Sequence, residues 1–160
     1  MDNREYLFVG IDDFSRELYA AIMPDKTAFS AAEFLQKHVI APCPYKIDVV
    51  YSDNGTEYKG TTKHEFAIVC HQNGINQKFT KPACPQTNGK AERMICTLME
   101  MWHDKIAFSD SAHRQKELMR FINYYNTVKP HSALVKKSID GKRQLFTPYE
   151  WLEDYFFNNV

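Results

Sequence analysis

The chain has no excess of either charge: Lys plus Arg and Asp plus Glu number 20 each among its 160 residues. That balance excludes a bulk positive field able to draw in a polyanion, so any contact with nucleic acid must come from a local patch. Paired cysteines are missing as well. Cys43, Cys70, Cys84 and Cys96 are scattered without a Cys-x-x-Cys spacing, which removes the zinc-ligand pattern and argues for reduced thiols over a disulfide framework. No apolar run reaches the length of a membrane span. The start, Met1-Asp2-Asn3-Arg4-Glu5, has no basic segment ahead of an apolar stretch, so no signal peptide is expected. Internal repeats and Pro-rich linkers are also lacking. The expectation is a soluble, cytoplasmic chain forming one domain over residues 1–160, long enough to bury a core.

What is present reads as alternating strands and helices. Tyr6 to Ile11 is a compact apolar run with aromatic and β-branched residues, the pattern of a buried strand. After the turn formers Asp12-Asp13-Phe14-Ser15, Glu17 to Met23 reads as its hairpin partner. A helix follows Thr27 and stops at Ala41-Pro42-Cys43-Pro44, which cannot continue it. Ile47 to Tyr51 is a third strand, Thr61 to Asn73 a helix closed by Gly74, and Ile75 to Phe79 a short strand. From Gly89 a helix places Ala91, Ile95, Leu98, Trp102 and Ile106 on one face. Another covers about Ala112 to Asn126. Leu134 to Gln144 is basic and loop-like, and Thr147-Pro148-Tyr149-Glu150 has the form of a capped helix start. This order predicts a mixed sheet with helices packed on it.

Two strings carry the chemistry: Tyr51-Ser52-Asp53-Asn54-Gly55-Thr56-Glu57-Tyr58 and Pro85-Gln86-Thr87-Asn88-Gly89-Lys90-Ala91-Glu92. Asp53 directly follows an apolar strand, and Glu92 falls in the first turn of a helix. Carboxylates held where the backbone changes type suit a clamp for divalent ions. Magnesium takes oxygen ligands and is usually held by a few carboxylates plus substrate phosphate. The pair therefore points towards phosphodiester chemistry. Glycoside hydrolysis by two carboxylates explains none of the Asn-Gly-Lys-Ala-Glu-Arg context.

These strings, with Tyr6 to Arg16 and Tyr124-Tyr125-Asn126…Lys129-Pro130-His131-Ser132-Ala133-Leu134, resemble the integrase catalytic core. The likeness is closest to bacterial insertion-sequence transposases and more distant to retroviral integrases. It implies an RNase H-like fold, a mixed sheet flanked by helices, carrying a DDE triad that binds Mg2+ or Mn2+. Asp53 matches the second Asp and Glu92 the Glu. The implied activity is metal-dependent DNA strand cleavage and transfer on mobile-element ends and target DNA, with Gln86, Asn88, Lys90 and Arg93 near the phosphates. A homodimer is also implied. In the family pattern the first Asp lies on a strand preceding the partner of Tyr6 to Ile11. The resemblance thus implies that this strand and its Asp are absent from the chain, costing the sheet an edge strand and the site a well-bound second ion. Family members often carry Asn and then basic residues along the Glu helix, where this chain has Ile95, Cys96 and Met99. The alternative expectation is an inactive remnant that keeps the fold with weak DNA binding or dimerisation.

Each feature has a plainer reading. Asp53 alone is a turn residue, and Glu92 alone is a helix-start carboxylate favoured by the macrodipole; only their joint occurrence within matched strings favours the ion-binding role. Asp12 and Asp13 read as turn formers, with Asp12 a minor candidate for a substitute ligand. Asn54 and Gly55 shape the backbone after Asp53, Gly55 through a positive φ. Lys59, Lys63, Lys78 and Lys81 form a local positive patch or are simply solvated. His131 reads as structural, bonding a backbone carbonyl. Trp102, Phe108, Phe121, Tyr124 and Tyr125 read as core or subunit-contact residues.

Overall fold

The computed structural model describes residues 4–81 and 89–159. They divide into two compact units, Met1–Gly10 with Ala20–Leu98, and Ile11–Tyr19 with Met99–Val160.

In the first unit, β1 (Tyr6–Ile11) and β2 (Leu18–Met23) form a hydrogen-bonded pair. Helix α1 (Ala28–Glu33) starts at Thr27, whose hydroxyl accepts the Ser30 N–H, and continues as a π-helix over Phe34–Ile40. Strand β3 (Val49–Ser52) pairs in parallel with β4 (Asn76–Phe79), in register from Val49↔Asn76 to Ser52↔Phe79. A parallel pair needs a crossover, and α2 (Glu65–Gln72) supplies it. Gly74, at φ 66°, ends α2: its N–H donates to the His71 carbonyl, and the Ile75 N–H donates to that of Cys70. This is the double closure of a Schellman motif. Within a largely aliphatic core sits an aromatic cluster. Phe8 packs on Phe34 (5.7 Å) and Tyr58 (6.4 Å), and Tyr58 packs edge-on against Phe66 (5.2 Å). Helix α3 (Gly89–Met101) begins in this unit.

The second unit holds the β1–β2 turn, α4 (Ser111–Thr127), β5 (His131–Lys137), β6 (Arg143–Phe146) and α5 (Pro148–Asn159). Asp12 Oδ2 accepts from both the N–H (2.6 Å) and the hydroxyl (2.7 Å) of Ser15, so its carboxylate is occupied in the turn, as its composition indicates. The Asn126 side chain bonds both backbone groups of Leu18, accepting from its N–H at 2.8 Å and donating to its carbonyl at 3.0 Å. Thr147 and Glu150 form a reciprocal capping box with Pro148 in the first turn of α5. Trp102 is 2% exposed, and Phe121 and Tyr125 are buried, whereas Tyr124 is exposed.

Three expectations change. The strands form three two-stranded sheets among the described residues, not one mixed sheet. Residues 134–144 are no loop: β5 and β6 form an antiparallel hairpin across Asp140-Gly141, with Gly141 at φ 80°. The basic residues there sit on an exposed ladder, where Lys136 and Lys137 are both exposed, and their charge hides the strand signal. On α3 the inward residues are Met94 and Leu98 while Ile95 is exposed, and the helix ends before Ile106. The four-residue spacing from Met94 through Leu98 to Trp102 outweighs the stripe centred on Ile95.

His131 behaves as a structural histidine. Its Nε2 lies 3.4 Å from the Tyr125 carbonyl and its ring is 4.4 Å from the Tyr125 ring. Burial lowers its pKa, outweighing the Tyr125 carbonyl, and Lys129 and Arg16 add to the lowering. The unfolded chain therefore binds the proton more readily, and stability from this group is present above the ordinary histidine range and lost as pH falls through it. Urea midpoints measured at pH 7.5 and 5.5 are expected to fall with pH, and the fall should be smaller in His131→Gln.

Candidate functional site

Asp53 projects from the end of β3 and is exposed, directly after buried Ser52. Its Oδ1 accepts the Gly55 N–H at 2.8 Å, an Asx turn that orients the carboxylate. Asn54 ties this turn to the end of the neighbouring strand: its amide donates to the Thr80 carbonyl at 2.9 Å, and its oxygen accepts from Lys59 Nζ at 3.0 Å. The Thr80 N–H donates to the Ser52 carbonyl, extending the ladder by one bond.

Gly55 serves a purpose other than the one expected. It is not among the glycines with positive φ. The constraint is space: a Cβ there would lie 2.5 Å from Glu57 Oε2 and 2.9 Å from Asp53 Oδ1. Two carboxylates thus converge on the Gly55 α-carbon. Glu57 is 4% exposed, and a buried carboxylate needs a partner. Lys26 Nζ supplies one at 3.1 Å from Glu57 Oε1. The Lys26 pKa is raised by its hydrogen bond and charge interaction with Glu57, and further by Asp53. Tyr58 is pushed up mainly by burial, with Glu57 and Asp53 adding to it. Its carbonyl accepts from Gln77 Nε2 at 2.6 Å.

Neither Glu57 nor Lys26 stands out in the sequence. Glu57 lies four residues beyond Asp53 in the same string, and an acidic residue so close to another reads as solvated. The sequence does carry one signal: Glu57 immediately precedes Tyr58, an aromatic residue that packs against Phe8 and Phe66.

Glu92 lies in the first turn of α3, exposed, where the helix dipole favours a carboxylate. Lys90 and Arg93 are exposed on the same turn. Gln86 and Asn88 lie outside the described residues. Among the described residues no group of three His, Cys, Asp or Glu side chains converges to hold a metal ion. The donors at Asp53 are all oxygens, the chemistry Mg2+ and Mn2+ prefer, and Mg2+ commonly uses one or two carboxylates with water completing its shell. The residues therefore fit an ion held by few protein ligands.

Family profiles described as integrase core domain match residues 1–85 and 73–138. The chain belongs to the integrase core domain family. Its fold is RNase H-like: it is similar to the catalytic core domain of BIV integrase, with a TM-score of 0.66 at 22% identity, covering 99% of this chain and 92% of that one. In sequence it is 37% identical over 101 residues to the retrovirus-related Pol polyprotein from transposon TNT 1-94 of Nicotiana tabacum, covering 62% of this chain but 7% of that protein. It is 30% identical over 132 residues to the insertion element IS136 uncharacterized protein of Agrobacterium fabrum, covering 78% of this chain and 66% of that one. It is also 30% identical over 87 residues to an Escherichia coli transposase, InsD of insertion element IS2, covering 54% of this chain and 28% of that protein. The integrase core thus spans only part of the relatives it matches. No helix among the described residues is long and apolar enough to cross a membrane.

The packing at Gly55 gives a direct check on the site. Gly55→Ala must push the buried Glu57 carboxylate away from Lys26, at a cost of roughly 1–3 kcal/mol for overpacking. Urea unfolding should show that loss, and Gly55→Ala combined with Glu57→Ala should recover part of it.

Proposed function

We propose that this integrase core is the catalytic part of a DNA strand-cleaving and strand-transferring protein, with Asp53 and Glu92 as its ion-holding carboxylates. The observation that carries this reading is the placement of Asp53: exposed at the end of β3, with Oδ1 fixed by the Gly55 N–H and the next residue bonded to Thr80, just past β4. A carboxylate held this firmly loses little freedom on binding a cation. Bound Mg2+ or Mn2+ supplies the Lewis acidity that attack on a phosphodiester by water or a 3′-hydroxyl needs. Asp53 and Glu92 bind and orient the ion. Lys90 and Arg93, one turn of helix with Glu92 between them, offer charge to DNA phosphates, with Gln86 and Asn88 in the preceding segment. Dimerisation belongs to the same proposal.

The first carboxylate of the triad is proposed to come from a strand outside this chain. In support, neither β1 nor β2 contains an acidic residue. Asp12, the substitute candidate, already accepts two bonds from Ser15. The separation of β1–β2 from β3–β4 into two ladders favours a strand that joins them over the edge strand expected from sequence. A second reading, an inactive remnant, is favoured by exposed Ile95 where relatives in the resemblance carry polar groups.

The discriminating assay is Mn2+-dependent nicking of supercoiled DNA by this chain and by one extended with its upstream coding sequence. The proposal expects weak or no nicking by the chain alone and robust nicking by the extended protein, lost on Asp53→Asn or Glu92→Gln. Nicking that survives both substitutions sinks the site. An inert extended protein leaves the remnant reading standing.

A further inference from the structure

We propose that Lys26 is a tethered counter-cation for the corner formed by Asp53 and Glu57, and that Glu57 is the positioning residue through which it sets the divalent-ion affinity of Asp53. The inference rests on the reading of Asp53 as an ion ligand.

The geometry is specific. Glu57 is buried and reaches back over Gly55, so that Glu57 Oε2 and Asp53 Oδ1 lie 2.5 and 2.9 Å from the same point beside the Gly55 α-carbon. Glu57 therefore adds its negative charge to the field at Asp53 while staying out of water. Tyr58, packed against Phe8 and Phe66, fixes the backbone beside it, and Lys26 meets the other carboxylate oxygen of Glu57, Oε1, at 3.1 Å.

Lys26 is bound differently from its partner. Its backbone is bracketed by a tight network in which Asp25 Oδ1 accepts from the Thr27 N–H, the Thr27 hydroxyl and the Ser30 hydroxyl. Its side chain, 58% exposed, spans from that fixed base to Glu57. A lysine is a point charge on a flexible four-carbon stem, so this ammonium reaches Glu57 from the solvent-exposed side while the carboxylate it pairs with stays buried. The raised pKa of Lys26, driven first by Glu57 and also by Asp53, reports the same coupling.

Charge bookkeeping then fixes the sign of each effect. With Lys26 in place the corner carries one net negative charge. Removing Lys26 leaves two negative charges and strengthens attraction for a dication. Removing the Glu57 charge leaves none and weakens it. Removing both restores the native balance. One unit charge a few ångströms away under partial solvent screening changes affinity by about fivefold.

The test titrates Mn2+ into the full chain, following water-proton relaxation, with thermal melting recorded for each protein. Lys26→Met should bind Mn2+ about fivefold more tightly than wild type, Glu57→Gln about fivefold more weakly, and the double variant close to wild type. A purely structural ion pair lowers the melting temperature of both single variants without moving affinity in opposite directions. Such a result overturns the proposal, as does weaker binding by folded Lys26→Met. Should Lys26→Met fail to fold with Glu57 unpaired, the double variant removes that charge, and its recovery of the affinity lost in Glu57→Gln decides the matter. Mn2+ binding that persists in Asp53→Asn refutes the underlying reading of Asp53, and the proposal with it. Binding that depends on Asp53 but ignores both partners refutes the proposal alone.

Discussion

The turn after β3 depends on what is buried behind it. Tyr58 packs against both Phe8 and Phe66 and Glu57 beside it is buried, so the chain at Glu57 and Tyr58 is tied to the core. Large rings dominate core energetics, and here they fix a segment whose other end is solvent-exposed. The chain therefore leaves β3, turns at Asp53 with its carboxylate outside, and dives back at Glu57 and Tyr58. Gln77 on β4 closes the arrangement by donating to the Tyr58 carbonyl, and His64 Nε2 lies 2.9 Å from the Thr56 carbonyl. An exposed acidic group can hold a defined orientation only when its flanks are this constrained.

The same anchoring explains the buried charge. Glu57 is buried beside Tyr58, which packs against the core rings Phe8 and Phe66, and a carboxylate left unpaired there costs several kcal/mol. Lys26 offsets that cost from the surface. The result is a pair of unlike character, one member buried and the other largely exposed, beside the carboxylate proposed to hold an ion. Gly55 is required because no side chain fits between the two acids. Stability and chemistry at this corner thus share residues, and substitutions will rarely affect one alone.

Much of the architecture was legible from local rules. Strand β1 runs from Tyr6 to Ile11 as its apolar run indicates, Gly74 closes α2 with the positive φ expected of it, and Thr147 caps α5. These features depend on neighbours in sequence. What escaped depends on neighbours in space. A glycine after Asp-Asn usually serves the backbone, yet the reason for Gly55 is the Glu57 side chain. The hairpin of β5 and β6 was obscured by lysines that belong on an exposed ladder. The division into separate ladders follows from long-range pairing that no local pattern encodes. Of the site, Asp53 and Glu92 stand at the structural positions expected, the end of a strand and the first turn of a helix, while Lys26 and Glu57 required the fold to become visible.

The central claim is that the Asp53 carboxylate, with Glu92, holds a divalent ion. Crystals of the chain grown or soaked with Mn2+ and measured near the manganese absorption edge test this most directly. The account predicts an anomalous difference peak within coordination distance of Asp53, with Glu92 turned towards it and water completing the shell. A peak elsewhere on the surface, or none at Asp53 under saturating Mn2+, would contradict it.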